Sequence, residues 1–178
     1  MRNNASPGLT ASGLKVEVRN AFSASICLPD VLNLGCGRKR MDRAINLDRT
    51  AETQPDVVHD LNQTPWPFPD NAFQAVYASD VIEHLHDVVP VMEEIHRISC
   101  NGALIHITVP HFSCSNAFTD PTHRHHFGYS SFDYFTENND LCFYSSARFR
   151  LRTARLVFYP TTLSKIVWRL ANRFPAAY

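Results

Sequence analysis

The sequence predicts an α/β fold built on a mostly parallel sheet. Short apolar runs alternate with helical or loop connections, a Gly-x-Gly turn directly follows the first run, and an aspartate closes the second. Together these place a ligand site at the carboxyl ends of the strands.

Residues 1–25 mix Ser, Asn, Gly and Ala with little periodicity and read as a loose arm; residues 26–178 read as a single domain. Val31-Leu32-Asn33-Leu34 is an apolar run bounded by Pro29-Asp30 and the glycines, the pattern of a buried strand. Ala44 to Asp48 is a second strand, Val57-Val58-His59-Asp60 a third and Phe73 to Ala78 a fourth; Pro65, Pro67 and Pro69 punctuate the connection before the fourth. From Ser79 to Ser99, Val81, Leu85, Val88, Val91, Met92, Ile95 and Ile98 recur at threes and fours, so the segment is helical, with Pro90 near the first turn of its longer part. Asn101-Gly102 reads as the turn that ends it, and Ala103 to Val109 as a fifth strand stopped by Pro110. Ser130 to Glu137 reads as a helix capped by Ser130 or Ser131, Arg148 to Phe158 alternates as a strand, and Thr162 to Phe174 carries Leu163, Ile166, Val167 and Leu170 on one helical face.

Composition narrows the function classes. Hydrophobic residues make up 44%, enough for one core, and Lys+Arg and Asp+Glu both total 17. Without a basic excess to neutralise phosphates, a nucleic-acid partner is not expected. The five cysteines form no C-x-x-C pair, so neither a disulfide framework nor a zinc ribbon is suggested. No stretch is long and apolar enough to span a bilayer and the start lacks a signal-peptide run, which reads as a cytoplasmic protein.

Gly35 and Gly37 let a backbone approach a ligand closely, although a Gly-x-Gly pair alone is also an ordinary tight turn. Asp48, at the end of the second strand, suits the two hydroxyls of a ribose. Arg40 stands where a dinucleotide fingerprint needs its third glycine, and no Gly-Lys-Ser/Thr follows. The pattern therefore favours an adenosine ligand without phosphates.

The blocks Val31–Gly37, Ile45–Asp48, Asp56–Leu61, Pro67–Phe73, Tyr77–Leu85 and Glu94–Ile98 follow in an order that resembles the class I methyltransferases, closest to the type 11 methyltransferase-domain proteins, some of them linked to cell-surface glycan biosynthesis. The resemblance runs from about Val31 to Phe135 and implies a Rossmann-like sheet with S-adenosylmethionine as cofactor. It implies that Asn33, Leu34, Gly35, Cys36 and Gly37 hold the methionine part. By the same resemblance Asp48 holds the ribose, Asp60 and Leu61 flank the adenine, and Ala78 and Ser79 line the cofactor near its methyl group. Two departures stand out. Only Arg38 to Arg43 separate the glycine turn from the second strand, and six residues return only if nearly extended, at roughly 3.3 Å each. The first crossover helix is thus expected to be missing, leaving one sheet face thinly covered, for the arm or a second subunit to shield. The chain also stops soon after Pro175, which leaves the presence of the last strand open.

Nine histidines are many for this length. The run Asp120-Pro121-Thr122-His123-Arg124-His125-His126-Phe127 admits a metal reading, a solvated-loop reading and a catalytic one. The loop after the fifth strand overhangs the cofactor mouth, where a neutral imidazole suits the deprotonation of a hydroxyl. A segment like Asp120–His123 recurs there in the resembling proteins, so His123 is the first catalytic candidate, His111 the second and His84 the third; no metal ligand is assigned. His59, His96 and His106 read as structural. The aromatic group Phe112, Phe118, Phe127, Tyr129, Phe132, Tyr134 and Phe135 either walls an acceptor pocket or forms core, and Arg38, Lys39, Arg40 and Arg43 form a basic loop. The expected function is methyl transfer to a small-molecule or glycan-like acceptor, at oxygen. The rivals are a cofactor-binding subunit without activity and a metal-dependent hydrolase built on the histidine loop. The tail helix is expected to pack on the sheet, with a peripheral membrane contact or a homodimer interface as alternatives.

Overall fold

The computed structural model describes residues 30–137, 140–157 and 172–173. Five strands, β1 (Val31–Leu34), β2 (Ile45–Asp48), β3 (Val57–Val58), β4 (Phe73–Ser79) and β5 (Ser99–Thr108), form an all-parallel sheet in the order β3-β2-β1-β4-β5. β1 lies between β2 and β4, so the chain reverses its direction of travel across the sheet there. Such a switch point opens a crevice at the carboxyl ends of the strands.

One face is apolar throughout. Leu32, Leu34, Ile45, Leu47, Val76 and Ala78 are all at most 1% exposed. They pack in one core with Trp66, Phe68 and α1 (Val88–Ile98), whose Val91, Met92, Ile95 and Ile98 are buried at helical spacing. Asp87 caps α1 by accepting the Val89 N–H, and Pro90 sits in the first turn, where its missing donor costs nothing. The helix runs directly into β5. The expected turn at Asn101-Gly102 is instead part of that strand: Gly102 takes φ +83° in an irregularity where Ser99 pairs with Phe73 and Leu104 with Ala75. The strand begins earlier than its apolar alternation because Ser99 secures the helix end, donating its hydroxyl to the Ile95 carbonyl at 2.6 Å.

The opposite face carries the row Asn46, Asn33, Tyr77 and His106 across four strands. Tyr77 and His106 stack at 4.6 Å, and Leu104 and His106 are exposed. The return from β1 to β2 contains no helix, as its length demands, and a polar knot takes the helix's place. Asn33 Nδ2 donates to Asn46 Oδ1 and to the Lys39 carbonyl, Met41 N–H also reaches Asn46 Oδ1, and Asn46 Nδ2 reaches Asp56 Oδ2. Arg40 completes it on Asp56 at 2.8 Å and on the Gln54 carbonyl.

Three further segments differ from expectation. β3 is two residues long: His59 N–H makes the last bond to β2, at the Asp48 carbonyl, and the chain then turns from Asp60 to Gln63. Residues 131–135 form a 3-10 turn rather than a longer helix; neither serine caps it, and Ser131 Oγ accepts the Gly128 N–H instead. Residues 148–157 are not a strand, with Phe149 making a single bridge to Thr136, so among the described residues the sheet ends at β5. The arm over 1–25 lies outside the described residues, as does most of the 162–174 tail, of which Asn172 and Arg173 are helical. Asn172 pairs its amide with the Leu156 backbone. Among the described residues no helix is long and apolar enough to cross a membrane.

Candidate functional site

The glycine turn lies at the switch point. Gly35 and Gly37 both adopt left-handed backbone, φ +57° and +48°, which an L side chain rarely takes. A Cβ on Gly35 would stand 2.3 Å from Val81 Cγ2, so the turn after β1 and the segment after β4 touch through bare backbone. At Gly37 the same construction meets nothing within 4 Å, so that backbone borders open space. Cys36 is buried between them, its N–H bonded to the Leu47 carbonyl and its thiol pushed up in pKa chiefly by burial.

Asp48 reaches back to this turn. Its Oδ2 accepts the Gly37 N–H at 2.8 Å and its Oδ1 the Thr50 N–H at 3.1 Å, which fixes both oxygens and leaves each a further lone pair. The other expected cofactor residues divide. Asn33 and Leu34 are buried and serve the polar knot and the core. Asp60 closes an Asx turn on Asn62, whose backbone N–H holds its carboxyl below the usual range, while Leu61 is 5% exposed and packs inward, its carbonyl accepting Trp66 Nε1–H. Ala78 is in the core and Ser79 is exposed beside it at the end of β4.

On the other side of the crevice a 3-10 turn at Ile82–His84 follows β4. The Glu83 carbonyl accepts the N–H groups of Arg124 at 2.8 Å and His125 at 3.3 Å, and this hangs the histidine loop on the turn. His123 is thereby brought to His84, ring centroids 4.7 Å apart. His123 Nδ1 lies 3.2 Å from the Ala117 carbonyl and His84 Nδ1 2.8 Å from Thr122 Oγ1. Burial, and after it the neighbouring His123, lowers the pKa of His84 and favours the neutral ring. His111 is placed differently: its Nδ1 faces Ser113 Oγ at 2.8 Å and its ring tilts against Phe112. His125 contacts the Leu85 carbonyl and His126 tilts against Phe118. Of the aromatic group, Phe127 and Phe135 are core, Phe132 and Tyr134 pack on it, and Phe112 and Phe118 are exposed.

The sequence reading passed over Glu83. Its side chain is 1% exposed, one of its oxygens lies within 4.8 Å of a ring nitrogen of each imidazole, and among the described residues no other residue donates a hydrogen bond to it. The signal was present, a carboxylate adjacent to His84, but that residue in an otherwise apolar helical pattern reads as a solvated position. The basic loop is also more paired than expected, with Lys39 on Asp80 and Arg40 on Asp56.

Residues 37–107 match the methyltransferase domain family, a segment that begins in the glycine turn and ends in β5. Among solved structures the chain is similar to an S-adenosylmethionine-dependent methyltransferase from Archaeoglobus fulgidus, at 19% identity over 82% of this chain and 77% of that one, TM-score 0.51. It is also similar to an S-adenosylmethionine-dependent methyltransferase from Mesorhizobium loti, at 20% identity over 46% of each chain, TM-score 0.40. The third is the YcgJ protein from Bacillus subtilis, at 18% identity over 56% of this chain and 57% of that one, TM-score 0.43. The aligned part is thus about half the length of the last two proteins, and at 19% identity the likeness to the Archaeoglobus fulgidus protein speaks for the fold alone. No curated protein matches.

S-adenosylmethionine is the cofactor such a domain implies, and the residues present fit it. The open space at Gly37 admits a ligand against bare backbone, Asp48 keeps acceptor capacity for ribose hydroxyls, and no third glycine prepares the turn for a pyrophosphate. With its strand order, its glycine turn at the switch point and its matched segment, the chain has the fold of the class I S-adenosylmethionine-dependent methyltransferases.

Proposed function

We propose that the chain transfers a methyl group from S-adenosylmethionine to an oxygen of a small-molecule or glycan-like acceptor. The observation that carries this is the contact of Gly35 with Val81, whose carbonyl in turn accepts the His84 N–H. It sets the cofactor turn and the imidazole pair at one mouth of the sheet. When bound, the cofactor supplies an electrophilic methyl on a sulfonium, and transfer leaves the former S–C electron pair on sulfur. Gly37 and Asp48 bind and orient the cofactor. His84 and His123 stand on the acceptor side, where an Nε2 lone pair receives the hydroxyl hydrogen and aims the oxygen at the methyl. The neutral charge balance suits an uncharged acceptor. The non-catalytic and hydrolase readings are not favoured.

Calorimetric titration with S-adenosylmethionine, S-adenosylhomocysteine and NAD tests the cofactor half. The first two are expected to bind and NAD is not, and Asp48→Ala should weaken binding tenfold or more. Tight NAD binding with no response to S-adenosylhomocysteine would overturn the reading. For the acceptor half, His123→Ala should lower transfer of labelled methyl roughly a hundredfold or more while cofactor binding persists.

A further inference from the structure

We propose that Glu83, His84 and His123 form a binding site for one divalent first-row transition ion of the Zn²⁺ or Fe²⁺ class. One ligand atom from each residue lies within 4.8 Å of the other two. Donors bound to a single ion at roughly 2.0–2.2 Å stand about 3–3.5 Å apart, so side-chain rotation closing an ångström or so completes the set.

The carrying observation is the state of Glu83. Its carboxylate is almost wholly buried and, among the described residues, no other residue donates a hydrogen bond to it, an arrangement strongly disfavoured unless a cation or a proton is present. A proton shared with His123 does not satisfy the site, because its Nε2 is 3.9 Å from Oε1, too far for a hydrogen bond.

The hydrogen bonds around the two rings fix them as ligands. His123 donates Nδ1–H to the Ala117 carbonyl, which leaves the lone pair on Nε2, the atom that faces Glu83. Thr122 gives its hydroxyl hydrogen to Asp120 Oδ1 at 2.7 Å, so its oxygen accepts from His84 Nδ1–H and the lone pair of His84 also falls on Nε2. Metal-binding histidines are oriented by outer partners of this kind. A neutral His123 presents its Nε2 lone pair to the Glu83 carboxylate, and one cation joins the two electron donors. Neighbouring His125 and His126 are turned to Leu85 and Phe118, so the site is not a property of the histidine-rich run as such.

Two imidazoles and one carboxylate suit Zn²⁺, Fe²⁺ or Co²⁺ over Mg²⁺, which prefers oxygen ligands. His84 is only partly buried, which leaves coordination positions open to water or an acceptor oxygen. In the reaction proposed above, the ion would take that oxygen in place of the hydrogen bond to imidazole and favour its deprotonated form, the proton leaving to solvent. This last part rests on the methyltransferase reading, whereas ion binding does not.

The test uses the untagged full chain stripped with chelator, titrated with Zn²⁺ and Mg²⁺ by calorimetry and with Co²⁺ by visible absorption. One equivalent of Zn²⁺ and of Co²⁺ is expected, and no Mg²⁺. Glu83→Gln and His123→Ala should each weaken Zn²⁺ binding about tenfold or more, and His126→Ala should leave it unchanged, with circular dichroism confirming that each variant folds. The Co²⁺ bands of the wild-type protein report nitrogen ligation directly, so they decide the matter even for a variant that does not fold. Oxygen-only bands, absence of stoichiometric Zn²⁺, or Zn²⁺ binding that survives both substitutions would overturn the site. S-adenosylhomocysteine binding without Zn²⁺ uptake defeats the ion site alone; Zn²⁺ uptake without S-adenosylhomocysteine binding defeats the methyltransferase reading and leaves the site standing.

Discussion

Gly35 and Gly37 share a left-handed backbone but face different surroundings, and the difference predicts different failures. Gly35→Ala combines an unfavourable φ, about 1–2 kcal/mol, with a methyl driven into Val81, about 1–3 kcal/mol more. Thermal unfolding should show the loss, at roughly 2–4 °C per kcal/mol for a chain of this size. Gly37→Ala carries only the backbone cost, because its new methyl meets open space. Its expected signature is weakened S-adenosylhomocysteine binding, tenfold or more by calorimetry, with a smaller drop in the unfolding midpoint than Gly35→Ala. Both glycines were legible in the sequence as a tight turn after the first strand. Their division of labour was not, because it depends on Val81, which is distant in sequence.

At the scale of elements, α1 and its neighbours show how a short-range pattern meets a long-range one. The apolar stripe and Pro90 were sufficient to place the helix. They said nothing of Glu94, which accepts Trp66 N–H at 2.6 Å and holds Arg97 through both oxygens, while Arg97 reaches Asp70 and the Phe68 carbonyl. Burial would raise the Glu94 pKa, but the hydrogen bonds from Arg97 and Trp66 outweigh it and hold the carboxyl below the ordinary range. A carboxyl depressed by folding contributes stability that is complete above its unfolded value, about 4.3, and is lost as pH falls through the lower folded value. Unfolding midpoints followed from pH 7 to pH 2.5 should therefore decline in acid, and Glu94→Gln should start lower and decline less. The false strand at 148–157 has the converse origin: its alternation satisfies the period of two, but pairing requires a free sheet edge in register, which only tertiary structure decides.

For the whole molecule, a mostly parallel sheet was legible because each strand is a short apolar run at a switch between turn signals, and the missing first helix because six residues cannot hold one; that all five strands are parallel is seen only in their pairing. The polar knot of Asn33, Asn46 and Asp56 that replaces it was hidden, since its members look like strand and loop residues until the sheet brings them together. If the glycine turn binds S-adenosylhomocysteine, linkage requires the folded state to gain stability with ligand, about 2.7 kcal/mol at one hundred times Kd. The unfolding midpoint should rise continuously with ligand concentration, and a flat response would count against cofactor binding at this site.

The two sides of the crevice are fastened unequally, and amide hydrogen exchange should resolve it. On the cofactor side Cys36 N–H is bonded to β2 and Gly37 N–H to Asp48 at its end, so their exchange requires the sheet itself to open. On the other side the backbone of the histidine loop is joined to the 3-10 turn through the single Glu83 carbonyl, with side-chain contacts at Thr122 and His125 beside it, and local detachment frees the amides of Arg124 and His125. Slow exchange at Cys36 and Gly37 beside fast exchange at Arg124 and His125 would describe a protein whose glycine turn stays closed while its histidine loop breathes.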